Sequence, residues 1–581
     1  MNAKKSQSGL HFKPHLATVA LEDYFQVGTF NRMIQQKQWY RFETRLEQNT
    51  QRILELLERH QIRGTFFVLG WVADRYPELV RKVAEAGHEL ASKGYYHRSI
   101  RQMTREEFLE DAIRSREAIE HASRQKVFGY RVAHEWFGPQ DLWALEVLAQ
   151  AGYQYDSSVV PLGKNFRDEP FRQVVYRHET SSGGIWEVPV STTSILGFRF
   201  PIASGNYLRQ LPYFWTRSQV KQWIQHHDSP LVMYFHAWEL DPNQPMLTGG
   251  GLLQRLRHYR NLHKVESRLD GLFQKYPFTN IARYLQLPPQ QLETLEPRRF
   301  PAEIPPDVSP NVAGDPLEKR TPVSIVVPCY NEELILPYLA NTLKSVSDRL
   351  SNQYQITYLL VDDGSKDGTW KGLEETFGNK SGYELYRHQT NLGVAAAIRT
   401  GIHRARTEIV CSIDCDCTYD PHLLEQMIPK LTPDVDLVTA SPYHPEGHVR
   451  NVPAWRLKLS KSASWLYRRI LKQKLHTYTS CFRVYRRSAV ERLDLKHNNF
   501  LGIAELVGQL DLQGSKIVEF PATLEVRMLG RSKMKTLRTI LGHLKLMARL
   551  VMQKRKPHAP ARIQNSHSLP QTQQPQQEIT P

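Results

Sequence analysis

Short apolar runs alternate with segments of helical period along most of the chain. In the first half LATVAL (16–21), GTFFVLG (64–70) and PLVMYFH (230–236) read as strands, and RFETRLEQNTQRILELLERH (41–60) has a helical pattern. In the second half VSIVVPCY (323–330), ITYLLVDD (356–363) and EIVCSID (408–414) are buried-strand runs that each end in polar residues, with helical segments between them. Strands alternating with helices predict an α/β fold in both halves, with ligands bound beyond the carboxyl ends of the strands in the second.

Two stretches interrupt this alternation. Residues 287–320 are proline-rich without a sustained apolar period and read as an extended linker; residues 557–581 are Pro/Gln-rich and read as disordered. A chain of 581 residues exceeds what one hydrophobic core supports. The expected organisation is a flexible start (1–15), a first domain (16–286), the linker, a second domain (321–535), a basic amphipathic helix (536–556) and the tail.

Composition narrows the classes. The net charge of +17 favours an anionic partner such as a membrane surface, a nucleotide sugar or nucleic acid, but no recognisable nucleic-acid module accompanies it. Five cysteines (Cys329, Cys411, Cys415, Cys417 and Cys481), an odd number, do not make a secreted disulfide framework. No Cys/His pair at zinc-finger spacing follows them closely, so they are expected in buried strands beside a loop. The first residues hold lysines but no apolar h-region, and no run approaches the roughly 18–20 apolar residues of a spanning helix. The expected location is the cytoplasm, peripheral on the inner face of a membrane.

Three strand ends in the second half carry chemistry. The first reaches Pro328, Tyr330, Asn331, Glu332 and Glu333; the second, Asp362 and Asp363; the third, Asp414 and Asp416. In an extended D-x-D both carboxylates lie on one side, and two hard oxygen ligands pointing one way suit Mg²⁺ or Mn²⁺ bridging a diphosphate. A lone D-x-D is a weak signal; three such ends in this order are a stronger one.

The segments PCYNEE, VDDGSKDGT, NLGVAAAIRTGI, DCDCTYDP, TSCFRVYRRSAV and RMLGRSKMK resemble family 2 glycosyltransferases of the GT-A fold, particularly dolichyl- or polyprenyl-phosphate sugar transferases. The resemblance implies that Pro328, Tyr330, Asn331, Glu332, Asp362 and Asp363 hold the nucleotide sugar. Asp414 and Asp416 would hold the metal and the sugar diphosphate, and Arg483, Arg531 and Lys533 would face the phosphates of donor and acceptor. Basic donors on a glycine-containing loop suit a second phosphate. The sequence lacks the Q-x-x-R-W of processive polysaccharide synthases and a transmembrane bundle to export a polymer, which favours a single transfer onto a lipid phosphate. The expected partners are a nucleotide-sugar donor, a polyprenyl-phosphate or glycan acceptor and an anionic membrane surface.

A lipid acceptor requires a bilayer. In KTLRTILGHLKLMARLVMQKRK, Leu537, Ile540, Leu541, Leu544, Ala548 and Val551 recur at helical spacing among basic residues; WRLKLSKSASWLYRRILKQKL, with Trp455, Leu459 and Leu466, is similar. Basic amphipathic helices lie in membrane interfaces, and anionic lipid strengthens their binding. The alternative is that these stripes pack on the domain itself.

The first half carries ALEDYFQV, GTFFVLGW, GHELASKGYYHR, GYRVAHEWFG, WEVPVS and MYFHAWELDP, and resembles polysaccharide deacetylases of the carbohydrate esterase type, which have a distorted (β/α) barrel. That family activates water on a metal held by one acidic residue and two histidines, with an aspartate as base and a distant histidine as acid. Here Ala20 stands at the leading aspartate, Lys93 at the first metal histidine and Ala133 at the proline of Arg-Ala-Pro, while Glu22, Asp23, His97, Arg131 and His236 remain. A protonated lysine cannot ligate a metal. With a ligand and a base both lost, the expectation is a pseudo-deacetylase, with Lys93 a fixed positive charge in place of the metal. Which of Glu22 and Asp23 matches the metal position is open.

The leading expectation is a metal-dependent inverting glycosyltransferase, acting on a polyprenyl-phosphate or related glycolipid acceptor, with a barrel that does not hydrolyse. A bifunctional transferase/deacetylase and a non-catalytic glycan-binding scaffold are the alternatives.

Overall fold

The computed structural model describes residues 14–554 apart from 29, 31–32, 163–164, 167, 196–197, 250, 303–319, 453 and 531–535. The flexible start (but for its last two residues), much of the linker, the tail, Arg531 and Lys533 lie outside the described residues.

The first domain is built on a curved nine-stranded sheet. Its strands are β1 (His15–Leu21), β2 (Thr65–Val68), β3 (Glu89–Ser92), β4 (Gly129–Tyr130), β5 (Tyr155–Asp156), β6 (Tyr176–His178), β7 (Ile185–Glu187), β10 (Val232–His236) and β11 (Phe278–Thr279); β8 (Thr192–Ile195) and β9 (Phe198–Pro201) form a separate hairpin. The order is β10-β1-β2-β3-β4-β5-β7-β6, with β11 also on β1, and every pair is parallel except β6 with β7. All of β1 is buried, as an unbroken apolar run predicts for a strand covered on both faces. Ser204 bridges to Tyr234 on the outer side of β10, extending that edge of the sheet by one residue.

The helical pattern of 41–60 forms its helix only over Leu46–Arg59, with Leu46, Ile53, Leu54, Leu56 and Leu57 buried. Residues Gln36–Arg41 instead make a 3₁₀ turn directed at the second domain. The described part of the linker, expected to be extended, is docked on the first domain. Leu292 N donates to Arg124 O at 3.0 Å, and Arg298 pairs with Asp74 at 2.5 Å.

The second domain has a seven-stranded sheet of order β14-β13-β12-β15-β18-β16-β19. These are β12 (Thr321–Cys329), β13 (Tyr354–Asp362), β14 (Tyr383–Arg387), β15 (Ile409–Ser412), β16 (Leu437–Ser441), β18 (Arg483–Arg486) and β19 (Ile517–Pro521); β17 (His448–Val449) and β20 (Thr523–Leu524) pair outside it. β14, β13, β12 and β15 are mutually parallel, and β18 runs antiparallel between β15 and β16. Cys329 lies opposite Asp362 in register, so the chemistry-bearing ends of β12, β13 and β15 sit side by side at one edge.

The two domains share one apolar core: Phe42 meets Tyr338 edge-on with ring centroids 5.0 Å apart.

Candidate active sites

In the second domain, Pro328, Tyr330, Glu332, Asp363, Asp414 and Asp416 line one cavity of about 610 Å³. Two non-glycine residues beside it take left-handed backbone: Asn331 at φ 52° and Cys417 at φ 50°. Asparagine tolerates that region; cysteine does so at a cost, a form of local strain that concentrates at functional sites. Burial and the neighbouring Asp416 push the Asp414 carboxyl up to about 7, with Arg527 opposing.

The two aspartates of VDDGS separate. Asp363 organises the following turn, accepting hydrogen bonds from Leu392 N (2.9 Å), Gly393 N (2.7 Å) and Asn391 Nδ2 (2.9 Å) and lying 2.7 Å from His388 Nδ1. Gly393 has φ 111°, and a Cβ there would lie 2.5 Å from Asn498 O, which is why the turn entering the helix Val394–Arg404 requires glycine. Asp362 is fully buried, with Oδ2 3.2 Å from Arg387 Nε, and does not line the cavity. Asn331 is also outside the lining; its Oδ1 accepts from Lys366 N at 2.7 Å.

Arg483 corrects an expectation. Instead of facing phosphates it is fully buried, donating to Ile503 O at 2.9 Å and Tyr478 O at 3.0 Å. It sits on β18 with its side chain turned into the core, where two carbonyls take its Nη1 and Nη2 and its Nε is buried without a hydrogen-bond partner. Among the described residues the basic group that reaches the cavity is Arg527, which the sequence reading did not single out although it opens the quoted RMLGRSK. Its Nη2 bonds Glu332, and Nη1 lies 3.6 Å from Asp416 Oδ2. The cysteines are buried with free thiols, Cys329 and Cys411 in strands as expected and Cys415, Cys417 and Cys481 outside them. Cys329 and Cys415, both lining the cavity, have their sulfurs 3.6 Å apart.

In the first domain the degenerate residues also converge. Lys93 Nζ donates to Glu22 Oε2 at 2.5 Å and lies 3.5 Å from His97 Nε2; His97 Nε2 is 3.4 Å from Glu22, and His236 Nδ1 contacts the other carboxylate oxygen. Burial alone would raise Glu22, but the charges of Lys93 and His236 and the histidine hydrogen bonds hold it well below the usual range. Burial lowers Lys93, with Glu22 opposing; burial and the Lys93 charge take His97 down to about 4. The ammonium therefore sits among the groups the resemblance assigns to the metal. Among the described residues no group of three or more His, Cys, Asp or Glu is placed to hold a metal ion.

Glu22 and Asp23 point apart, Glu22 into the barrel cavity. Asp23 turns away, accepting from Tyr24 N, Thr44 Oγ1 and Arg45 N at 2.8–3.0 Å, and burial pushes it up to about 6. Ala20 is fully buried on β1, level with His236 on β10. Arg131 is fully buried, donating to Thr18 Oγ1 at 2.8 Å and Ser157 Oγ at 2.7 Å, with its guanidinium 4.0 Å from the Phe67 ring centre. Glu22, His97 and His236 line a cavity of about 450 Å³ with Trp136, Tyr207 and Trp238.

The folds and sites thus define a sugar-nucleotide type of transferase domain joined to a deacetylase-like barrel. Family models agree: polysaccharide deacetylase matches residues 32–155, a domain of unknown function (DUF3473) matches 157–286, and glycosyl transferase family 2 matches 324–494. Polyprenol monophosphomannose synthase of Mycolicibacterium smegmatis is 30% identical over 217 residues, which are 36% of this chain and 80% of that protein. Dolichol-phosphate mannosyltransferase of Pyrococcus furiosus is 29% identical over 231 residues, 39% of this chain and 63% of that protein. A glucosyl-3-phosphoglycerate synthase structure from Mycobacterium tuberculosis, with Mn²⁺, UDP and glucosyl-3-phosphoglycerate, is 19% identical over 41% of this chain and 79% of that one; its TM-score of 0.29 is too low to carry an argument. The chain belongs to glycosyl transferase family 2, with an N-terminal polysaccharide deacetylase-type domain.

Proposed function

We propose that the second domain transfers a sugar from a nucleotide sugar to a polyprenyl phosphate, or a related glycolipid acceptor, in cell-envelope glycan assembly. The observation that carries this is the convergence of Asp414, Asp416, Glu332 and Arg527 on one cavity at the carboxyl ends of adjacent parallel strands. Relatives named for transfer to polyprenol and dolichol phosphate support the acceptor class.

A lipid phosphate is already anionic, so its oxygen can attack the anomeric carbon without a general base. The new carbon–oxygen bond forms as the bond to the nucleoside diphosphate breaks with inversion, and the diphosphate departs with the electron pair. Asp414 and Asp416 offer the hard carboxylate donors that Mg²⁺ or Mn²⁺ takes, and such an ion supplies charge to the departing diphosphate when bound. Arg527 adds a fixed guanidinium on the same side, suited to a phosphate oxygen. Arg531 and Lys533 remain proposed phosphate contacts. Pro328, Tyr330, Glu332 and Asp363, which line the cavity, remain proposed for the nucleoside, whereas Asp362 and Asn331 shape the strand ends from outside it.

Membrane approach is proposed for the face made by two helices that pack together, Ala454–Ile470 and Thr536–Lys554, joined by Tyr467 Oη and His543 Nδ1 at 2.9 Å. No helix among the described residues is long and apolar enough to cross a membrane. Leu546, Met547 and Leu550 pack inward, whereas Leu541 (59% exposed), Leu544 (49%) and Trp465 (55%) face outward among lysines and arginines. The barrel is proposed as non-hydrolytic, because Lys93 neutralises Glu22 where a cation would sit.

Titration calorimetry of UDP and of GDP, each with Mn²⁺, into wild type and Asp414→Asn/Asp416→Asn tests the donor site. One nucleotide is expected to bind wild type and to lose at least ~100-fold in affinity in the variant. Equal binding to both proteins would remove these carboxylates from the donor site.

A further inference from the structure

First-domain residues contact the segments of the second domain that carry its cavity residues, without lining the cavity themselves. Arg41, only 2% exposed, donates from Nη2 to Asp420 Oδ1 at 2.6 Å, and Asp420 lies four residues after Asp416 in the same turn. Asn341 Nδ2 donates to Arg41 O at 3.2 Å, fixing the 3₁₀ turn against the second domain. On the other wall Gln38 Nε2 donates to Glu525 Oε2 at 2.5 Å, and Leu247 pairs antiparallel with Leu529. Thr248 N donates to Met528 O at 2.7 Å; its hydroxyl lies 3.1 Å from Met528 O and 3.3 Å from Arg527 O.

These contacts matter because Arg527 stands on a loop. Residues 525–530, between β20 and the helix Thr536–Lys554, form no helix or strand. Among the described residues their backbone hydrogen bond to the second domain is Glu525 N to Thr418 O at 2.9 Å, and Arg527 itself reaches that domain through its side chain, to Glu332 and Asp416. Among the described residues, the hydrogen bonds that Arg527 O and Met528 O accept come from Thr248. The supporting segment is itself stiff: Leu247 N donates to Tyr259 Oη at 2.8 Å, and Gln244 Nε2 donates to Trp238 O and Asp241 O. A group that must meet a diphosphate within a fraction of an ångström needs such support.

We propose that the deacetylase-type domain braces the transferase, with Thr248, Gln38 and Arg41 as positioning residues that hold the Arg527 loop and the Asp414–Asp420 turn in the arrangement the donor requires. This rests on the donor-site reading above. It gives the barrel a task that does not depend on hydrolysis.

The test uses the full chain and compares Thr248→Val, which loses the hydroxyl at nearly constant volume, with Thr248→Ser, which keeps it. Donor kcat/KM is measured across UDP- and GDP-sugars with polyprenyl phosphate, together with amide hydrogen exchange over 525–530. Thr248→Val is expected to lower kcat/KM about tenfold with an unchanged thermal midpoint and faster exchange in the loop, and Thr248→Ser to retain both. In an Arg527→Ala background Thr248→Val is expected to add nothing, since it acts through that arginine. Unchanged kinetics and exchange in Thr248→Val, or an equal fall in the Arg527→Ala background, would overturn the brace. Should wild type transfer no sugar from any donor, the transferase reading fails, and the exchange comparison alone decides the brace: faster exchange in Thr248→Val supports it, unchanged exchange overturns it.

Discussion

Lys93 decides what the barrel can do. Its ammonium is buried beside a fully buried Glu22, so removing it leaves a carboxylate without its nearest counter-charge. Lys93→Met is expected to destabilise the protein by about 3–5 kcal/mol in urea unfolding. Adding Glu22→Gln should recover much of the loss, because no uncompensated charge is then buried. Glu22 is held below its ordinary value, so the pair's contribution is present at neutral pH and is lost only as pH falls through that depressed value. The reverse experiment, Lys93→His with Ala20→Asp, should restore binding of Zn²⁺ or Co²⁺ and slow hydrolysis of acetyl esters; gaining neither would count against a degenerate site.

Residue identity was the legible part of both sites. The spacing of KGYYH placed Lys93 where a metal histidine would stand, and the structure puts it on Glu22. What the sequence left open was direction. Glu22 and Asp23 are adjacent and chemically alike, yet one enters the barrel cavity and the other caps the Thr44–Arg45 turn. Arg483 and Arg527 are both arginines in quoted motifs, but β18 turns the first into the core while a loop leaves the second at the cavity. Side-chain direction depends on strand register and on partners far away in sequence, which local pattern does not carry.

At the scale of elements, the alternation of runs located the strands that matter, since a buried parallel strand needs an apolar run and ends where polar residues begin. Boundaries were less legible: the pattern over 41–60 includes Arg41, whose turn belongs to the contact between domains. The helix Thr536–Lys554 shows why one stripe was ambiguous. It has two apolar faces, and the stripe containing Leu541, Leu544 and Ala548 is the one left exposed. Leu541→Glu/Leu544→Glu is therefore expected to reduce partitioning onto anionic phospholipid vesicles by at least ~tenfold while leaving the thermal midpoint unchanged. A fall in the midpoint with unchanged partitioning would assign that face to packing within the protein.

For the whole molecule, length and the proline-rich interval announced two domains, but not that they share a core or that residues 287–302 are docked. Those facts depend on Phe42 with Tyr338 and on Arg298 with Asp74, pairs separated by hundreds of residues. The chain joins an α/β transferase whose carboxylates and guanidinium converge to a deacetylase-type barrel in which Lys93 is paired with Glu22. The central claim is that the second domain is the working enzyme. Sugar entering the lipid phase tests it most directly, with purified full-length protein, UDP- and GDP-sugars, polyprenyl phosphate and Mn²⁺ or Mg²⁺. Transfer that stops on chelation and is absent in Asp414→Ala/Asp416→Ala is the predicted result. Transfer that persists in that variant, or no transfer from any donor by a protein that still binds the nucleotide, would contradict it.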